Sequence, residues 1–482
     1  MFETSFVLFL KALLYNIILP LVPGILFLWI FFGKKFAWIL LYILWWFVGV
    51  WVIAFSLFNL QFIHFGLGVG EYMIVLWVLI AAFVGKLLYR KESYDSYIAL
   101  LKVKNIIPQI KKSFFWLSQI EQIFTIVCGG MGIIFLLLTF VRVSNFPTYA
   151  DDSFGNRNGP AYNIYLDGWV KIFWKENEIL GRGRLWYPIY IGIYKANVSS
   201  FIGSFDDIYI NLRQWLVFLG MVLFIFTITF TKTKNIFYSL LPIGLVISLP
   251  LIFFHSADGY MELPCAVYSL LTIRAFWKFL EDKEYDYIAL ALLFWFMLSH
   301  IKNDGLLWYF AGIFISFIAI LLFSKQLLPV IIGFVKKKAI LRSSIFYGIF
   351  FFVPFLFIKQ YYHLWFNQAV TSSSGLGLSS TVHSEIFTVF KPIFFTMDNY
   401  NVILILLLLL WVYWYYYKKR DLNDLFLIIT PFVIFLIFVL VFLLTESYIV
   451  AMNQTTINRV FTMAFLVFLA FTWLFFYKKW ND

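Results

Sequence analysis

Apolar runs of about 20 residues recur along this chain, each close to the length that a helix needs to cross the hydrocarbon core of a bilayer. Only helices and closed barrels bond every backbone polar group internally, and barrel strands would show short alternating segments instead. Hydrophobic residues make up 63% of the 482 residues and charged residues 13%, which excludes an ordinary soluble domain. The sequence therefore predicts an all-α polytopic membrane protein.

The length criterion predicts about thirteen transmembrane helices. Their predicted positions are residues 5–32, 36–60, 70–89, 122–142, 213–230, 236–254, 261–277, 286–300, 305–323, 343–359, 401–417, 424–443 and 458–477. A mixed lysine and apolar pattern over residues 91–118 also predicts a helix on the cytoplasmic membrane surface, broken at Pro108.

Lysine and arginine clusters orient these helices. With the N-terminus outside, every such cluster between spans falls on the cytoplasmic side, as the positive-inside tendency requires. This placement accounts for the net charge of +12 without a nucleic-acid partner. The long connections 143–212 and 360–400 then lie outside, and the C-terminus lies in the cytoplasm. We expect an integral protein of a prokaryotic cytoplasmic membrane, with membrane lipids as neighbours and its active site on the outer face.

An acidic pair, Asp151 and Asp152, follows the fourth predicted span and opens the long loop 143–212. Adjacent like charges repel, which raises the proton affinity of one carboxylate and suits it to act as a general base. The nearby Arg157 would stabilise the other carboxylate in its charged form. The structural alternative is a solvated loop start or a helix N-cap, a common role for Asp.

A second polar cluster joins two predicted spans between His255 and Pro264. Asp258 and Glu262 are four residues apart, so on a helical turn both carboxylates would share one face. Acids at a membrane boundary are costly unless paired or wetted, which favours a substrate-positioning role, with Tyr260 as a further contact. A metal site that includes His255 is an alternative, although the spacing matches no specific metal motif.

Cations on the predicted outer face form the remaining candidates. Lys302 and Asn303 follow a span end, where Lys302 could hold a phosphate or only extend to the interface. Arg459 opens the last span against the positive-inside bias, which favours an anionic ligand. The outer loop adds three more arginines, of which Arg213 is expected to bind lipid headgroups: Arg182, Arg184 and Arg213.

In this order the clusters resemble the GT-C superfamily of membrane glycosyltransferases that use polyprenyl-linked sugars. The similarity covers about residues 120–320, through the acid pair Asp151-Asp152, the turn 257–264 and the segment 299–305, with Arg459 as a looser match. Many relatives have Asp-Glu where this chain has Asp-Asp. The Trp-Trp-Asp type motif of oligosaccharyltransferases is absent from the C-terminal region, which disfavours block transfer of oligosaccharide to protein.

The resemblance implies a division into three parts and a long first outer loop with helices on the membrane surface. Residues 1–120 would form an N-terminal three-helix segment with a cytoplasmic linker. Residues 121–359 would form a GT-C-like catalytic core that includes the loop 143–212, and residues 360–482 would form an outer loop and the C-terminal helices.

The resemblance also implies a reaction. A sugar would move from a polyprenyl-phosphate donor to a hydroxyl of a cell-envelope glycan, lipid or protein, with inversion at the anomeric carbon. Asp151 or Asp152 would be the general base, and Asp258 and Glu262 would orient hydroxyl groups. Lys302 and Arg459 would stabilise the leaving phosphate. Neither a cofactor nor a divalent metal is expected.

Two other functions fit the same composition. A polysaccharide polymerase or ligase with diphosphate-linked donors would favour an arginine-rich outer loop over an acidic base. A polytopic lipid or solute transporter, or a flippase, would place its ionisable residues near the bilayer midplane and show repeats or broken helices. The charges at the predicted outer face favour the glycosyltransferase.

Overall fold

The computed structural model is mainly helical. It describes residues 2–32, 38–61, 66, 68–90, 107–147, 158–168, 189–298, 300–301, 329, 332–333, 336–361, 371–372, 375–376, 382–395, 422–444, 452 and 455–471. Two short strands form an antiparallel pair, β1 (Thr371–Ser372) and β2 (Gly375–Leu376). The chain divides into two compact units, the first made of Met1–Phe237 with His255–Tyr260 and the second of Tyr238–Phe254 with Met261–Asp482.

The helices are numbered in chain order. Those that begin in the first unit are α1 (Phe2–Phe32), α2 (Trp38–Gln61), α3 (Val69–Arg90), α4 (Ile107–Phe115), α5 (Gln119–Asn145), α6 (Gly159–Asp167), α7 (Tyr190–Ile202), α8 (Asp207–Thr233) and α9 (Ile236–Ile247). The later ones are α10 (Pro250–His255), α11 (Glu262–Asp282), α12 (Asp286–Leu298), α13 (Lys338–Tyr347), α14 (Val353–Tyr361), α15 (Ile386–Phe395), α16 (Leu422–Leu444) and α17 (Thr455–Ala470).

Within the described residues, six helices are long and apolar enough to cross a membrane. They are segments of α1, α2, α3, α5, α8 and α11, and each overlaps one predicted span: Phe6–Phe32, Ile43–Gln61, Val69–Tyr89, Gln119–Asn145, Asp207–Thr233 and Glu262–Asp282. The total of about thirteen spans stays a prediction. The predicted spans at 305–323 and 401–417 lie outside the described residues.

The predicted span 236–254 is wrong as a single helix. α9 ends at Ile247 and α10 begins at Pro250. A proline lacks the backbone N–H of a helix, its ring crowds the preceding turn, and it disfavours helical geometry in the residue before it. The twelve residues of α9 are about 18 Å long, less than the hydrocarbon thickness of a bilayer.

Helices α1 and α2 pack backbone against backbone at two glycines. A Cβ atom on Gly24 would lie 1.8 Å from the Trp45 carbonyl oxygen, and one on Gly49 would lie 1.6 Å from the Pro20 carbonyl oxygen. Small residues at such contacts let two membrane helices approach closely. The indole Nε1 of Trp46 also donates a hydrogen bond of 2.8 Å to the carbonyl oxygen of Asn16 on α1.

Helix α5 begins at a capping box. The Ser118 hydroxyl accepts a hydrogen bond from the Glu121 backbone N–H, and the Glu121 carboxylate accepts one from the Ser118 N–H. This exchange satisfies two backbone donors that a helix start leaves open. Farther along, Trp215 on α8 donates a hydrogen bond of 3.0 Å to the Leu136 carbonyl. α5 therefore contacts α8 through part of its length, while most of its apolar side chains are exposed.

The predicted break of the helix 91–118 at Pro108 stays a prediction. Pro108 lies in the first turn of α4, where its missing N–H has no helical partner to lose and its fixed φ suits the helix. Residues 91–106 of the same predicted segment lie outside the described residues. Pro108 therefore marks the start of a helix.

In the second unit, α11 is the most buried candidate span, with 94% of its most apolar stretch buried. It packs against α12, α16 and α17. A π-helical turn, Gly348–Phe352, joins α13 to α14, and the buried His300 ring donates from Nε2 to the Phe351 carbonyl oxygen at 2.6 Å. Because a carbonyl oxygen only accepts, this bond assigns the proton to Nε2 of His300.

Candidate functional site

The turn His255–Tyr260 is fixed by one amide. Gln214 of α8 donates from Nε2 to the carbonyl oxygens of His255 and Tyr260, at 2.6 and 2.7 Å. The rings of His255 and Tyr260 stack with their centroids 5.1 Å apart. Gly259 has a φ of 74°, in the left-handed region that favours glycine. These contacts hold both ends of the turn and set the backbone that carries Asp258.

Asp258 is paired with Arg142 from the end of α5. Arg142 Nη2 lies 3.0 Å from both Asp258 carboxylate oxygens, and Arg142 Nε lies 3.3 Å from Oδ1. The Asp258 side chain is 9% exposed and that of Arg142 is 28% exposed. Burial raises the pKa of Asp258 above its ordinary value, although the Arg142 guanidinium opposes this shift.

Glu262 is paired with Arg459 in the second unit. Arg459 Nε and Nη2 both lie 3.0 Å from Glu262 Oε1, and the Glu262 side chain is only 2% exposed. Glu262 is the first residue of α11 and Arg459 lies in the second turn of α17, the helix that packs against α11. The first turn of a helix also favours a negative charge.

The prediction that Asp258 and Glu262 share one face of a helical turn is wrong. Asp258 precedes the first residue of α11, and Gly259 between the two acids has a positive φ that no right-handed helix contains. The two carboxylates instead pair with different arginines, Arg142 and Arg459.

The first unit also holds a buried lysine that was not among the predicted site residues. Lys195 on α7 is 2% exposed, and its Nζ donates to Asn158 Oδ1 at 2.5 Å and to Asn211 Oδ1 at 2.8 Å. Asn158 in turn donates to the Asp207 carboxylate. A buried charge is costly unless it is well hydrogen-bonded, so these amides stabilise the lysine where it lies. The sequence signal was a single lysine inside the apolar stretch 189–198.

Arg142 was missed as well, although its signal was present. It ends a predicted span on the outer face, and so breaks the positive-inside bias as Arg459 does. Gln214 gave no signal, because a glutamine near a span end is common and its bonds go to backbone atoms. Arg213 is corrected: it is 2% exposed, and a side chain at that burial is not available to lipid headgroups.

Seven predicted site residues lie outside the described residues. They include both proposed bases, and their roles stay predictions: Asp151, Asp152, Arg157, Arg182, Arg184, Lys302 and Asn303. Within the ranges that the structure describes, no three His, Cys, Asp or Glu side chains come close enough to hold one metal ion. The prediction that no metal is needed stays a prediction too.

Each unit holds one carboxylate with a fixed orientation, Asp258 in the first unit and Glu262 in the second, and each is held by a guanidinium group. Asp258, which is 9% exposed, can accept further hydrogen bonds from hydroxyl groups, whereas Glu262 is as buried as Arg213. Comparison with protein-family models, with curated proteins and with solved structures finds no match to this chain.

Proposed function

We propose that this chain is a membrane glycosyltransferase that moves a sugar from a polyprenyl-phosphate donor to a hydroxyl acceptor. The observation that carries the proposal is the Arg142–Asp258 pair, at the end of an apolar helix and next to the turn held by Gln214. Ionisable side chains at a membrane-embedded helix are costly, so a buried pair there favours a functional role. Further parts of the proposal rest on the sequence alone, among them the role of Asp151 or Asp152 as the general base and the contact of Lys302 with the phosphate.

The pair suits hydroxyl recognition better than anion recognition. Arg142 already donates to Asp258 through Nε and Nη2, so the net charge of the pair is zero, and the Asp258 carboxylate, which is 9% exposed, keeps further acceptor lone pairs. Carboxylates are the common acceptors for sugar hydroxyls because an ionised acid can take several hydrogen bonds at once. Asp258 would therefore orient the acceptor or the sugar, with Tyr260 as a second contact.

The reaction balances without a cofactor. The acceptor oxygen forms a bond to the anomeric carbon while the bond from that carbon to the phosphate oxygen breaks. The acceptor proton passes to Asp151 or Asp152, and the lipid phosphate leaves with the electron pair. Attack opposite the leaving group inverts the anomeric centre. On the sequence alone, Arg459 would contribute positive charge as the phosphate develops.

The test is sugar transfer in proteoliposomes that contain a polyprenyl-phosphate sugar and candidate hydroxyl acceptors. We expect Asp151→Asn or Asp152→Asn to lower the rate by about 100-fold or more, the usual size of a general-base contribution. Asp167→Asn is the matched control, because Asp167 is an exposed acid of the same predicted loop, at the end of α6. Transfer at the wild-type rate by both Asp151→Asn and Asp152→Asn would show that neither acid is the base.

Asp258 requires its own comparison. We expect Asp258→Asn and Arg142→Lys to raise KM for the sugar donor or the acceptor more than they lower kcat, because the pair is proposed to position a substrate. A diphosphate-linked donor that reacts while the monophosphate-linked donor does not would favour the polymerase or ligase instead. A chelator in a parallel reaction tests the predicted metal independence.

One observation favours a second candidate, a transporter or flippase. The predicted span 236–254 is broken before Pro250, and a π-helical turn interrupts the helix 338–361. Broken helices are typical of transporter binding sites, and π-helical turns occur often at functional sites. A fluorescent-lipid translocation assay in the same proteoliposomes separates the candidates, because a flippase moves lipid without any sugar donor.

A further inference from the structure

We propose that the first unit contains a site for the phosphate headgroup of an anionic phospholipid, distinct from the turn 255–260 and independent of the proposed glycosyl transfer. The site is a cavity of about 440 Å³ between α4 and the end of α8. That volume falls within the range of small-molecule pockets, about 300–1,000 Å³. It therefore has room for a glycerophosphate group.

The cavity wall is mostly polar. Six of its nine lining residues have polar or charged side chains that can donate hydrogen bonds, and the indole of Trp116 adds a seventh donor: Gln109, Lys112, Ser113, Thr233, Lys234 and Asn235 are the six. Two of the three apolar ones, Trp116 and Phe230, are aromatic. A pocket that combines an apolar wall with several convergent polar groups is the usual form of a small-ligand site.

Backbone contacts fix the two walls together. The Ile236 N–H donates to the Ser113 hydroxyl at 2.9 Å, which joins α4 to the chain after α8. The Phe237 N–H donates to Asn235 Oδ1 at 2.8 Å, which shapes the connection itself. Lys234 is the C-cap residue that follows α8, with a φ of 53° in the left-handed region, and its side chain lines the cavity.

The charges select an anion. Lys112 and Lys234 line the cavity, and none of its nine lining residues is acidic. The C-terminal end of α8 opposes an anion, but its dipole corresponds to only about half of one negative charge, against two full positive charges. Basic pockets between helices on the cytoplasmic side are a recurrent form of headgroup site, and the predicted orientation puts this cavity on that side.

Exposed apolar side chains favour a lipid over a soluble phosphate ester. Ile107, Phe115 and Trp116 of the α4 region are 70%, 67% and 81% exposed. A short amphipathic helix with such side chains lies at the membrane surface, with its aromatic rings among the headgroups. The acyl chains of a bound lipid would then extend along these residues, while the phosphate enters the cavity.

The test compares two double variants that remove the same charge. Lys112→Gln with Lys234→Asn alters the cavity, and Asn at position 234 tolerates the left-handed backbone. Lys111→Gln with Lys232→Gln is the matched control, because these nearby lysines, one exposed and one half-buried, do not line the cavity. Native mass spectrometry of the full chain from nanodiscs measures bound dioleoylphosphatidylglycerol against dioleoylphosphatidylcholine.

We expect wild type and control to bind phosphatidylglycerol in preference to phosphatidylcholine. The cavity variant should bind it about tenfold or more weakly, since it loses two charge-assisted hydrogen bonds to the phosphate, which are stronger than hydrogen bonds between neutral groups. Equal losses in both variants, or equal binding of the two lipids by wild type, would overturn the proposal. Displacement of the lipid by millimolar glycerol phosphate would indicate a soluble phosphate ester and would also overturn it. If the double variant does not fold, Lys112→Gln against Lys111→Gln gives the same comparison.

Discussion

Helices α2 and α5 are both long and strongly apolar, yet they are buried to very different extents. In α2 83% of the most apolar stretch is buried, and in α5 only 11% is buried. Lipid tails are as apolar as leucine, so apolar composition predicts that a helix enters the bilayer but not whether protein or lipid covers it. Close backbone contact at small residues makes the difference in α2. Gly49 meets Pro20 of α1, while a Cβ atom added to Gly130 or Gly132 of α5 would meet no atom within 4 Å.

The largest expected effect is at Gly49. Gly49→Ala places a Cβ 1.6 Å from a backbone oxygen of Pro20, which cannot turn away as a flexible side chain can. We expect loss of folded protein, seen as aggregation in fluorescence-detected size-exclusion chromatography. Gly132→Ala on α5 is the matched control, and it should leave the melting temperature unchanged or raise it slightly, since alanine is the better helix former by about 1 kcal/mol. A normally folded Gly49→Ala variant would contradict the backbone contact.

The next effect comes from leucines of the same two helices. Leu57 on α2 is fully buried and Leu138 on α5 is 54% exposed. Leu57→Ala leaves a cavity and should lower the free energy of unfolding by about 2–5 kcal/mol. Leu138→Ala should change it by less than about 0.5 kcal/mol. Thermal unfolding in detergent measures both, and equal losses would mean that α5 is covered by protein.

A smaller effect is expected where α5 meets the turn 255–260. The pKa of Asp258 is raised, so the folded protein binds this proton more tightly than the unfolded chain. The associated stability is fully present below the unfolded carboxyl pKa and is lost as pH rises through the folded value. Arg142→Gln removes the group that lowers the pKa of Asp258, so the variant should lose more stability than wild type between about pH 4 and pH 7.

At about pH 7 we expect Arg142→Gln to lower the free energy of unfolding by about 1–2 kcal/mol. This value lies between the contribution of an exposed ion pair and the cost of breaking a fully buried one. Melting temperatures at the two pH values measure it. The control is Arg142→Gln combined with Asp258→Asn, in which the extra dependence on pH should disappear. If the double variant keeps the extra dependence of stability on pH, a group other than Asp258 causes it.

The smallest effect is expected at the start of α5. Ser118→Ala removes the capping hydroxyl and should cost about 1 kcal/mol. Ser144→Ala, near the other end of α5, removes an exposed hydroxyl that donates to the Val141 carbonyl and accepts from Asn145 Nδ2, and it should cost less. Hydrogen exchange of the first turn of α5 measures the local change. No difference between the two variants would mean that the cap does not anchor this helix.

The six long apolar helices were predictable because each one comes from a single apolar run long enough to cross a bilayer. The break before Pro250 was also readable in the sequence, but the length criterion overrode it. The π-helical turn was not predictable, because its partner, His300, lies 51 residues from Phe351 in the sequence. Which face of a helix meets protein is set by such distant contacts, and hydropathy does not report them.

Most residues of the candidate site could be identified from the sequence, but which acid pairs with which arginine could not. Glu262 and Arg459 were both candidates, yet 197 residues separate them and no spacing rule connects them. The predicted shared face of Asp258 and Glu262 failed because Gly259 adopts a backbone that helices exclude. Arg142 carried the same sequence signal as Arg459, so a consistent use of the charge rule would have found it.

Helix α8 connects the turn 255–260 to the basic cavity. Gln214 near its start holds the turn that carries Asp258, and Thr233 at its end lines the basic cavity. The helix rises about 29 Å from Gln214 to Thr233 without a break, and a continuous helix is stiff along its axis. A displacement of α8 along its axis therefore moves both ends together. Any such movement would change the position of Asp258 and the shape of the cavity at the same time.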